Sequence, residues 1–245
     1  MNNFKKVALV TGSSRGIGKA IAIALAKSGH SVVLHGSHSS DALNSVEREL
    51  QSLDALSSTI VCDVSNKKEV ESACSKVLDT TKSIDILVNN AGSSNDKLFL
   101  KMSDEDFDSI IKTNLYGSFY LIKQLLPAMQ ENKFGRIINM SSIAVRGAFG
   151  KTNYSAAKSG LIGLTKSLAL EVGKYNITVN AVCPGYIDTD LSASIPEEYR
   201  QQFLKQIALK RIGSPEEVAS VVNFLTSEQA SYISGAVIDV NGGWL

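Results

Sequence analysis

The chain has 245 residues, of which 44% are hydrophobic and 20% are charged, and this length is enough for an α/β domain with a substantial core. The formal net charge is +1. A charge so close to zero creates no long-range field that would attract nucleic acid or an anionic membrane, so neither is predicted as a partner.

Cysteine usage and the amino-terminal residues indicate a cytoplasmic protein. The three cysteines, Cys62, Cys74 and Cys183, are far apart and form no Cys-x-x-Cys pair. That spacing argues against a disulfide framework and against a structural zinc site, so no metal is predicted. The apolar stretch within MNNFKKVALV is too short for a signal peptide or a membrane span.

Short apolar runs rich in β-branched residues alternate with longer amphipathic segments along the chain. Helices are predicted at 18–29, where Gly29 ends the helix, and at 155–175, the longest such segment. Strand alternating with helix predicts an α/β fold in one domain, 1–245: a doubly wound parallel sheet (Rossmann fold) of about seven strands with helices on both faces. The runs that predict buried strands are 6–12, 31–36, 58–64, 84–92, 135–142, 177–185 and 235–243.

The first strand is followed by TGSSRGIG, residues 11–18, which opens the first helix. Its glycines, Gly12, Gly16 and Gly18, allow the chain to turn tightly and to approach a pyrophosphate closely. The amide groups and the partial positive charge at the start of the helix suit phosphate oxygens. A glycine triad alone is compatible with a turn that binds nothing, but its place between strand and helix predicts a dinucleotide site.

The end of the second strand bears on which nicotinamide cofactor binds. NAD sites usually place an acid there to hold the ribose hydroxyls, whereas this chain has Gly36, then Ser37 and His38. No carboxylate would repel a 2′-phosphate, and Arg15 in the glycine turn suits a bidentate phosphate contact. The hydroxyls of Ser14 and Ser37 add possible hydrogen bonds. The sequence therefore favours NADPH and leaves NADH as the alternative.

Tyr154 and Lys158 lie four residues apart in NYSAAKSG, so on a helix they share one face. Tyrosine has a reference pKa of about 10, and a nearby ammonium lowers that value by favouring the phenolate. Such a pair can protonate an alkoxide or remove the proton of an alcohol. Alone, the pair is better explained as a half-buried tyrosine beside a lysine that extends to solvent.

Three polar residues elsewhere give the pair a context. Ser142 ends the fifth predicted strand, where its hydroxyl can bond a substrate carbonyl. Asn114 stands inside a helical stretch, where it has little local purpose and can hold a water linked to the lysine. Asp63 ends the third predicted strand, where its carboxylate suits either the adenine amino group or a turn cap.

Taken together, these motifs resemble those of the classical short-chain dehydrogenase/reductase family. The matching features are the glycine turn at 12–18, NNAG at 89–92, Asn114, Ser142, the Tyr-x-x-x-Lys motif and the Pro-Gly pair at 184–185, and they span most of the chain in order.

The resemblance implies a role for each matching residue. Tyr154 is the general acid/base, Ser142 orients and polarises the carbonyl, Lys158 lowers the pKa of Tyr154 and holds the nicotinamide ribose, and Asn114 completes a proton relay. The cofactor-binding positions that it implies are Gly12, Ser14, Arg15, Gly16, Ile17, Gly18, Ser37, Asp63, Val64, Asn90, Ala91, Gly92, Tyr154, Lys158, Pro184, Gly185, Ile187 and Thr189.

One departure from the family concerns the serine. In many relatives the interval from serine to tyrosine is one residue longer, and counting back that interval reaches Ser141. Aligning the fifth strand instead reaches Ser142 and places a one-residue deletion in the loop that follows. Loops absorb deletions more easily than strand ends, so Ser142 is favoured and Ser141 is the alternative.

Within the family, residues 89–121 and the carboxyl-terminal YISGAVIDVNGGWL are most similar to 3-oxoacyl-[acyl-carrier-protein] reductases. That similarity implies NADPH-dependent reduction of a 3-oxoacyl thioester to the (3R)-3-hydroxyacyl product in fatty-acid synthesis. Acetoacetyl-CoA reductases and other NAD(P)-dependent alcohol dehydrogenases share the motifs and are alternatives, and a cofactor-sensing protein without catalysis is a third hypothesis. Acyl chain length, and acyl carrier protein against coenzyme A, stay open.

Three further expectations concern partners and movement. Residues 186–213 are predicted to form a substrate lid hinged at Gly185, with a fixed surface helix pair as the alternative. The family also implies a homotetramer. Lys133, Arg136 and Lys174 are candidates for docking an acyl carrier protein at the mouth of the site, although each is better explained as a solvated surface charge.

Overall fold

The computed structural model describes residues 6–53, 55–189 and 197–244. Seven strands form one sheet, and every pairing in it is parallel. The strand order is β3-β2-β1-β4-β5-β6-β7. The strands are β1 Val7–Val10, β2 Ser31–Gly36, β3 Ser57–Val61, β4 Ile86–Asn89, β5 Gly135–Met140, β6 Ile177–Pro184 and β7 Val237–Val240.

Eight α-helices are described, and several begin at a side chain that caps the free amide groups of the first turn. Ser103 and Ser214 each form a capping box with the acidic residue three positions later, Asp106 and Glu217. A π-helical segment, Lys112–Tyr116, joins two of the helices. The helices are α1 Gly16–Lys27, α2 Asp41–Ser52, α3 Lys67–Thr81, α4 Asp104–Ile111, α5 Gly117–Glu131, α6 Thr152–Val172, α7 Glu197–Gln206 and α8 Pro215–Thr226.

Apolar side chains fill both faces of the sheet, which is why its strands read as continuous apolar runs. On one face, Ile21 and Leu25 of α1 and Val222 of α8 pack with the sheet in one buried cluster. On the other face, side chains of α3 and α5, Leu125 among them, pack in a second cluster. Burying a side chain of this size contributes about 1.5–3 kcal/mol. The predicted doubly wound fold with helices on both faces is confirmed.

The order of the strands reverses between β1 and β4, which pair side by side with Leu9 opposite Leu87. Ligands of open parallel sheets bind at such a switch point, beyond the carboxyl ends of the strands. Predicted and observed bounds differ mainly at these ends, because β1, β4 and β5 stop before the small polar residues that follow them. Those residues are thus free of the sheet ladder and are available to a site.

Helix α6 begins at Thr152, three residues before the predicted start, and ends at Val172, after which a single 3₁₀ turn completes the predicted segment. Tyr154 therefore lies in the first turn of the helix, at the same edge of the sheet as the end of β5. Among the described residues, no helix is both long and apolar enough to cross a membrane.

Candidate active site

The glycine turn between β1 and α1 is shaped by two residues in the left-handed region, Gly12 with φ +63° and Gly16 with φ +53°. Gly18 is required for a different reason. A Cβ atom built on Gly18 would lie 2.1 Å from the carbonyl oxygen of Gly12 and 2.6 Å from Nδ2 of Asn90. The backbone of the turn therefore packs directly against Gly18 and leaves no room for a side chain at that residue.

The start of α1 differs from the capped helices. Its N-cap residue, Arg15, makes no side-chain cap hydrogen bond, and the first turn holds no acidic residue. Amide groups in the first turn of a helix need an acceptor from elsewhere, and a phosphate oxygen is a suitable one. The glycine cradle and this helix start together fit the pyrophosphate of a dinucleotide.

The segment after β4 is tied to the glycine turn by the side chains of Asn90 and Thr11. Asn90 Nδ2 donates to the carbonyl oxygens of Thr11 at 2.8 Å and of Gly12 at 3.2 Å. In return, Thr11 Oγ1 accepts from the backbone amides of Asn90 and Ala91, both at 2.8 Å. The two loops on either side of the switch point are thus held in one fixed arrangement.

The structure places the predicted specificity residues at the exposed end of β2. Ser37 Oγ lies 3.1 Å from Nδ1 of His38, and both residues are exposed.

The two predicted positions after β3 differ in exposure. Asp63 is exposed, and its Oδ1 accepts from the amide of Ser65 at 2.9 Å, so in the chain alone it caps its own turn. Val64 is buried against Gly117, whose added Cβ would lie 3.0 Å from the valine.

Lys158 is only 4% exposed, although it carries an ammonium group. Its Nζ donates to the carbonyl oxygen of Met140, the last residue of β5, at 2.8 Å. One residue along, Ser141 Oγ donates to the backbone carbonyl of Lys158 at 2.9 Å. Burial lowers the pKa of Lys158 to about 8.

Tyr154 lies one turn earlier on α6, and the Ser142 side chain is its hydrogen-bonding neighbour. Burial raises the pKa of the Tyr154 hydroxyl, and the hydrogen bond with Ser142 works in the opposite direction. The sequence predicted that Lys158 lowers this pKa. In the chain alone the ammonium is turned to Met140, 5.5 Å from the centre of the tyrosine ring, and burial is the largest influence on the pKa of Tyr154.

The structure separates the two candidate serines. Ser141 is buried and committed to the backbone of α6. Ser142 is partly exposed, and its Oγ accepts from the amide of Ala144 at 3.1 Å, which leaves its hydroxyl hydrogen for another partner. Only Ser142 faces the phenol, because successive residues of an extended chain point to opposite sides.

Asn114 lies in the π-helical segment and is 1% exposed. Its Nδ2 donates to the carbonyl oxygens of Ser93 at 2.9 Å and Ile110 at 3.0 Å, while its Oδ1 has no hydrogen-bond partner among the residues that the structure describes. A Cβ built on Gly92 would lie 2.5 Å from that Oδ1 and 3.5 Å from Nζ of Lys158. The orphaned oxygen and the ammonium thus converge on one point, and a water there would satisfy the oxygen.

Asn153 was not predicted, although it lies directly before Tyr154. It is fully buried, and its Nδ2 donates to the carbonyl oxygens of Asn95 at 3.1 Å and Asp106 at 3.2 Å. Its Oδ1 accepts from the amide of Tyr154 at 2.8 Å. Asp106 also accepts from Nζ of Lys97 at 2.6 Å, which helps to hold the pKa of Asp106 near 2. Asn153 therefore fixes the start of α6 against the loop after β4, and the only sequence signal was a polar residue at a helix start.

The remaining predicted positions follow β6. Thr189 lies beside the glycine turn. A Cβ atom built on Gly16 would be 3.3 Å from Cγ2 of Thr189. Gly185 has no left-handed backbone; its added Cβ would lie 2.7 Å from Asn241, so close approach explains the glycine. Pro184 ends β6, and Ile187 is buried and bridges to Gly213.

The predicted lid spans 186–213, of which residues 190–196 lie outside the described part of the chain. Its described part is attached to the body by aromatic contacts. The ring of Phe203 on α7 lies 5.7 Å from that of Tyr186 and 5.3 Å from that of Trp244. The amide of Leu209 also donates to Gly242 at 3.0 Å.

The prediction that Arg136 docks a carrier protein is wrong. Arg136 is fully buried, donates to the carbonyl oxygens of Gly135 and Asn176, and stacks 4.4 Å from the ring centre of Phe134. Lys133 and Lys174 are exposed, but they precede β5 and β6 and so lie at the edge of the sheet opposite Tyr154 in the same chain. No cluster that would hold a metal ion is found among the described residues.

Comparison with known proteins agrees with this geometry. A family model described as enoyl-(acyl carrier protein) reductase matches residues 12–245. The chain is 46% identical to a 3-oxoacyl-[acyl-carrier-protein] reductase of Aquifex aeolicus, over 97% of this chain and 96% of that protein. It is 45% identical to the protein of that name from Rickettsia felis, over 98% and 97% of the two chains. For the one from Thermotoga maritima the identity is 41%, over 97% of both.

We expect Gly18→Ala to damage the dinucleotide site, since the new methyl group would overlap the Gly12 carbonyl and overpacking of this kind costs about 1–3 kcal/mol. The measurement is NADP⁺ affinity by calorimetry, together with the melting temperature. Gly173→Ala is the control, because a Cβ there meets no atom within 4 Å. Native affinity in Gly18→Ala would contradict the described closure of the turn.

Proposed function

The chain belongs to the short-chain dehydrogenase/reductase family, and from that membership we propose that it is an NADPH-dependent 3-oxoacyl-[acyl-carrier-protein] reductase. It reduces the C3 ketone of a 3-oxoacyl thioester to the (3R)-3-hydroxyacyl product in fatty-acid synthesis. The observation that carries this proposal is the convergence of Ser142, Tyr154 and Lys158 beside the glycine turn. The names of the relatives that match nearly the whole chain support it.

The residues that would hold the cofactor are those around the glycine cradle. Gly12, Gly16 and Gly18 shape the turn for the pyrophosphate, with the first-turn amides of α1 as donors. Bound there, the reduced nicotinamide supplies the hydride. The neighbouring residues assigned to this site are Ser14, Arg15, Ile17, Ser37, Asp63, Val64, Asn90, Ala91, Gly92, Tyr154, Lys158, Pro184, Gly185, Ile187 and Thr189.

The preference for NADPH is supported by the end of β2. Residues 36–38 contain no carboxylate that would repel a 2′-phosphate, and the hydroxyl of Ser37 and the ring of His38 are exposed there. Arg15 stands at the N-cap position of α1, where a guanidinium suits a phosphate better than a ribose hydroxyl.

Proton delivery falls to the α6 residues. As C3 is reduced, negative charge develops on the ketone oxygen, and the hydroxyls of Ser142 and Tyr154 would both bond that oxygen. Tyr154 then donates its proton to the alkoxide, a transfer for which a raised phenol pKa is no obstacle because an alkoxide is far more basic. The charge of Lys158 favours the resulting phenolate. A water between Lys158 and the free Oδ1 of Asn114 would return the proton from solvent.

A second candidate reaction is reduction of an enoyl thioester, which the description of the matching family model favours. The two reactions place charge differently. Ketone reduction creates an alkoxide at C3 that needs a proton on oxygen, whereas alkene reduction needs a proton on carbon. A serine and a tyrosine hydroxyl aimed together at one point suit an oxygen, so ketone reduction is the first choice.

We further propose that the protein acts in the cytoplasm as a homotetramer and that residues 186–213 close over the substrate. The three cysteines are free and buried, as in a reducing compartment.

Phe119 of α5 and Leu170 of α6 are exposed apolar side chains that an interface between copies of the chain would cover, and Leu170 is 88% exposed. Gly163 faces open space on the same helix, whereas Gly160 packs on Leu115 of its own chain.

We expect the protein to oxidise NADPH with acetoacetyl-CoA and to be at least about 100-fold less active with crotonyl-CoA, since only ketone reduction ends with a proton on an oxygen, to which the two hydroxyls can donate. The measurement is the loss of NADPH absorbance, with NADH tested in parallel. Turnover of crotonyl-CoA but not of acetoacetyl-CoA would reverse the choice between the two reactions. No turnover of any 3-oxoacyl thioester with either cofactor would remove the proposal.

Ser142→Ala should lower kcat by about 100-fold, because it removes a donor to the developing oxyanion. Ser141→Ala should instead lower stability by about 1 kcal/mol, because it removes the bond to the Lys158 carbonyl, and should change kcat much less. Steady-state kinetics and melting temperatures of the two variants check this difference. A larger loss of kcat in Ser141→Ala would mean that the serine has been assigned to the wrong position.

A further inference from the structure

His35 is the next-to-last residue of β2 and is only 1% exposed. Both nitrogens of its ring are used. Nδ1 accepts a hydrogen bond from the backbone amide of Gly12 at 3.1 Å, and Nε2 lies 3.0 Å from the carbonyl oxygen of Cys62. The imidazole thus bridges the glycine turn and the segment that follows β3.

These two contacts define the tautomer. A carbonyl oxygen can only accept, so Nε2 must carry the proton that bonds Cys62, and Nδ1 is left as the acceptor that Gly12 requires. Protonation of Nδ1 would set a second N–H group against the Gly12 amide and break that contact. Only the neutral ring therefore satisfies both partners.

The backbone of His35 is joined to the same turn. The amide of Ser13 donates to the carbonyl oxygen of His35 at 3.0 Å, and the amide of His35 donates to Ser13 Oγ at 2.8 Å. With the ring contact, one residue of β2 holds two consecutive residues of the turn, Gly12 and Ser13. Gly12 is also the residue whose left-handed conformation shapes the cradle.

The surroundings keep the ring neutral. Burial lowers the pKa of His35 from its ordinary value of 6.5, and the Cys62 contact and the charge of Asp63 only partly oppose this. The neighbouring Cys62 thiol has a pKa raised to about 11 and carries no charge at neutral pH. Because the pKa of His35 is lower in the folded chain than in the unfolded one, its contribution to folding stability is complete above about pH 6.5. That contribution is lost as the pH falls further.

We propose that His35 is a positioning residue of the dinucleotide site, whose neutral imidazole holds the Gly12 amide and thereby fixes the turn that receives the pyrophosphate. The inference rests on the proposed function for the identity of the cofactor. It adds a residue outside the motif that sets cofactor affinity.

The test uses calorimetric titration of the full chain with NADP⁺ at about pH 7.5, and melting temperatures at about pH 7.5 and about pH 5.5. His35→Leu removes both ring contacts and leaves the Gly12 amide without its ring acceptor, so NADP⁺ should bind about tenfold more weakly. His35→Asn places an amide oxygen where Nδ1 stood. It should restore most of the affinity and, having no group that titrates at this position, should lose less stability in acid than the native chain does.

The control is His30→Asn, which alters a partly buried histidine just before the other end of β2. It should keep the native affinity for NADP⁺. If His35→Leu fails to fold, the melting temperatures of the native chain and His35→Asn still test the neutral ring on which the role depends.

The inference is overturned if His35→Leu binds NADP⁺ as the native chain does, or if the native chain and His35→Asn lose stability equally between the two pH values. Failure of the proposed function looks different. A native chain that binds NADP⁺ but reduces no 3-oxoacyl thioester removes that function and leaves the role of His35 intact. A native chain that does not bind NADP⁺ removes the role as well.

Discussion

The candidate active site depends on the buried hydrogen bonds that join Lys158 to the end of β5. The ammonium donates to the Met140 carbonyl at 2.8 Å, and the Ser141 hydroxyl donates to the Lys158 carbonyl at 2.9 Å. A buried charge that lost its partner would be costly. These bonds therefore fix the position of α6 along its axis relative to the end of β5. Tyr154, one turn earlier on the helix, then faces Ser142, one residue further along the strand.

The cofactor side of the crevice is fixed by a separate set of contacts to backbone groups. Asn90 and Thr11 join the loops that follow β4 and β1, and His35 joins the glycine turn to β2. No charge takes part in these contacts. The two sides meet at Gly92, where a side chain would collide with Asn114 and crowd Lys158. Glycine at this position therefore permits the residues proposed for proton transfer to lie directly beside the proposed cofactor cradle.

Sequence alone predicted the seven strands and the glycine turn, because apolar runs and glycine spacing are local signals. It missed His35 and Asn153, whose partners in other parts of the fold are 22 or more residues away and leave no periodic pattern. It also misjudged Arg136, since a charged residue in an apolar run gives no sign that its guanidinium lies over Phe134. The two serines could be distinguished only from the directions of their side chains.

The central claim, that Tyr154 supplies the proton, is tested most directly by the kcat of Tyr154→Phe with acetoacetyl-CoA, measured beside its NADP⁺ affinity. Tyr175→Phe is the matched control, because Lys174 lies 5.1 Å from that ring as Lys158 lies 5.5 Å from Tyr154. The account predicts that kcat falls at least about 100-fold in Tyr154→Phe alone, with cofactor affinity little changed. A kcat near the native value in Tyr154→Phe would contradict it.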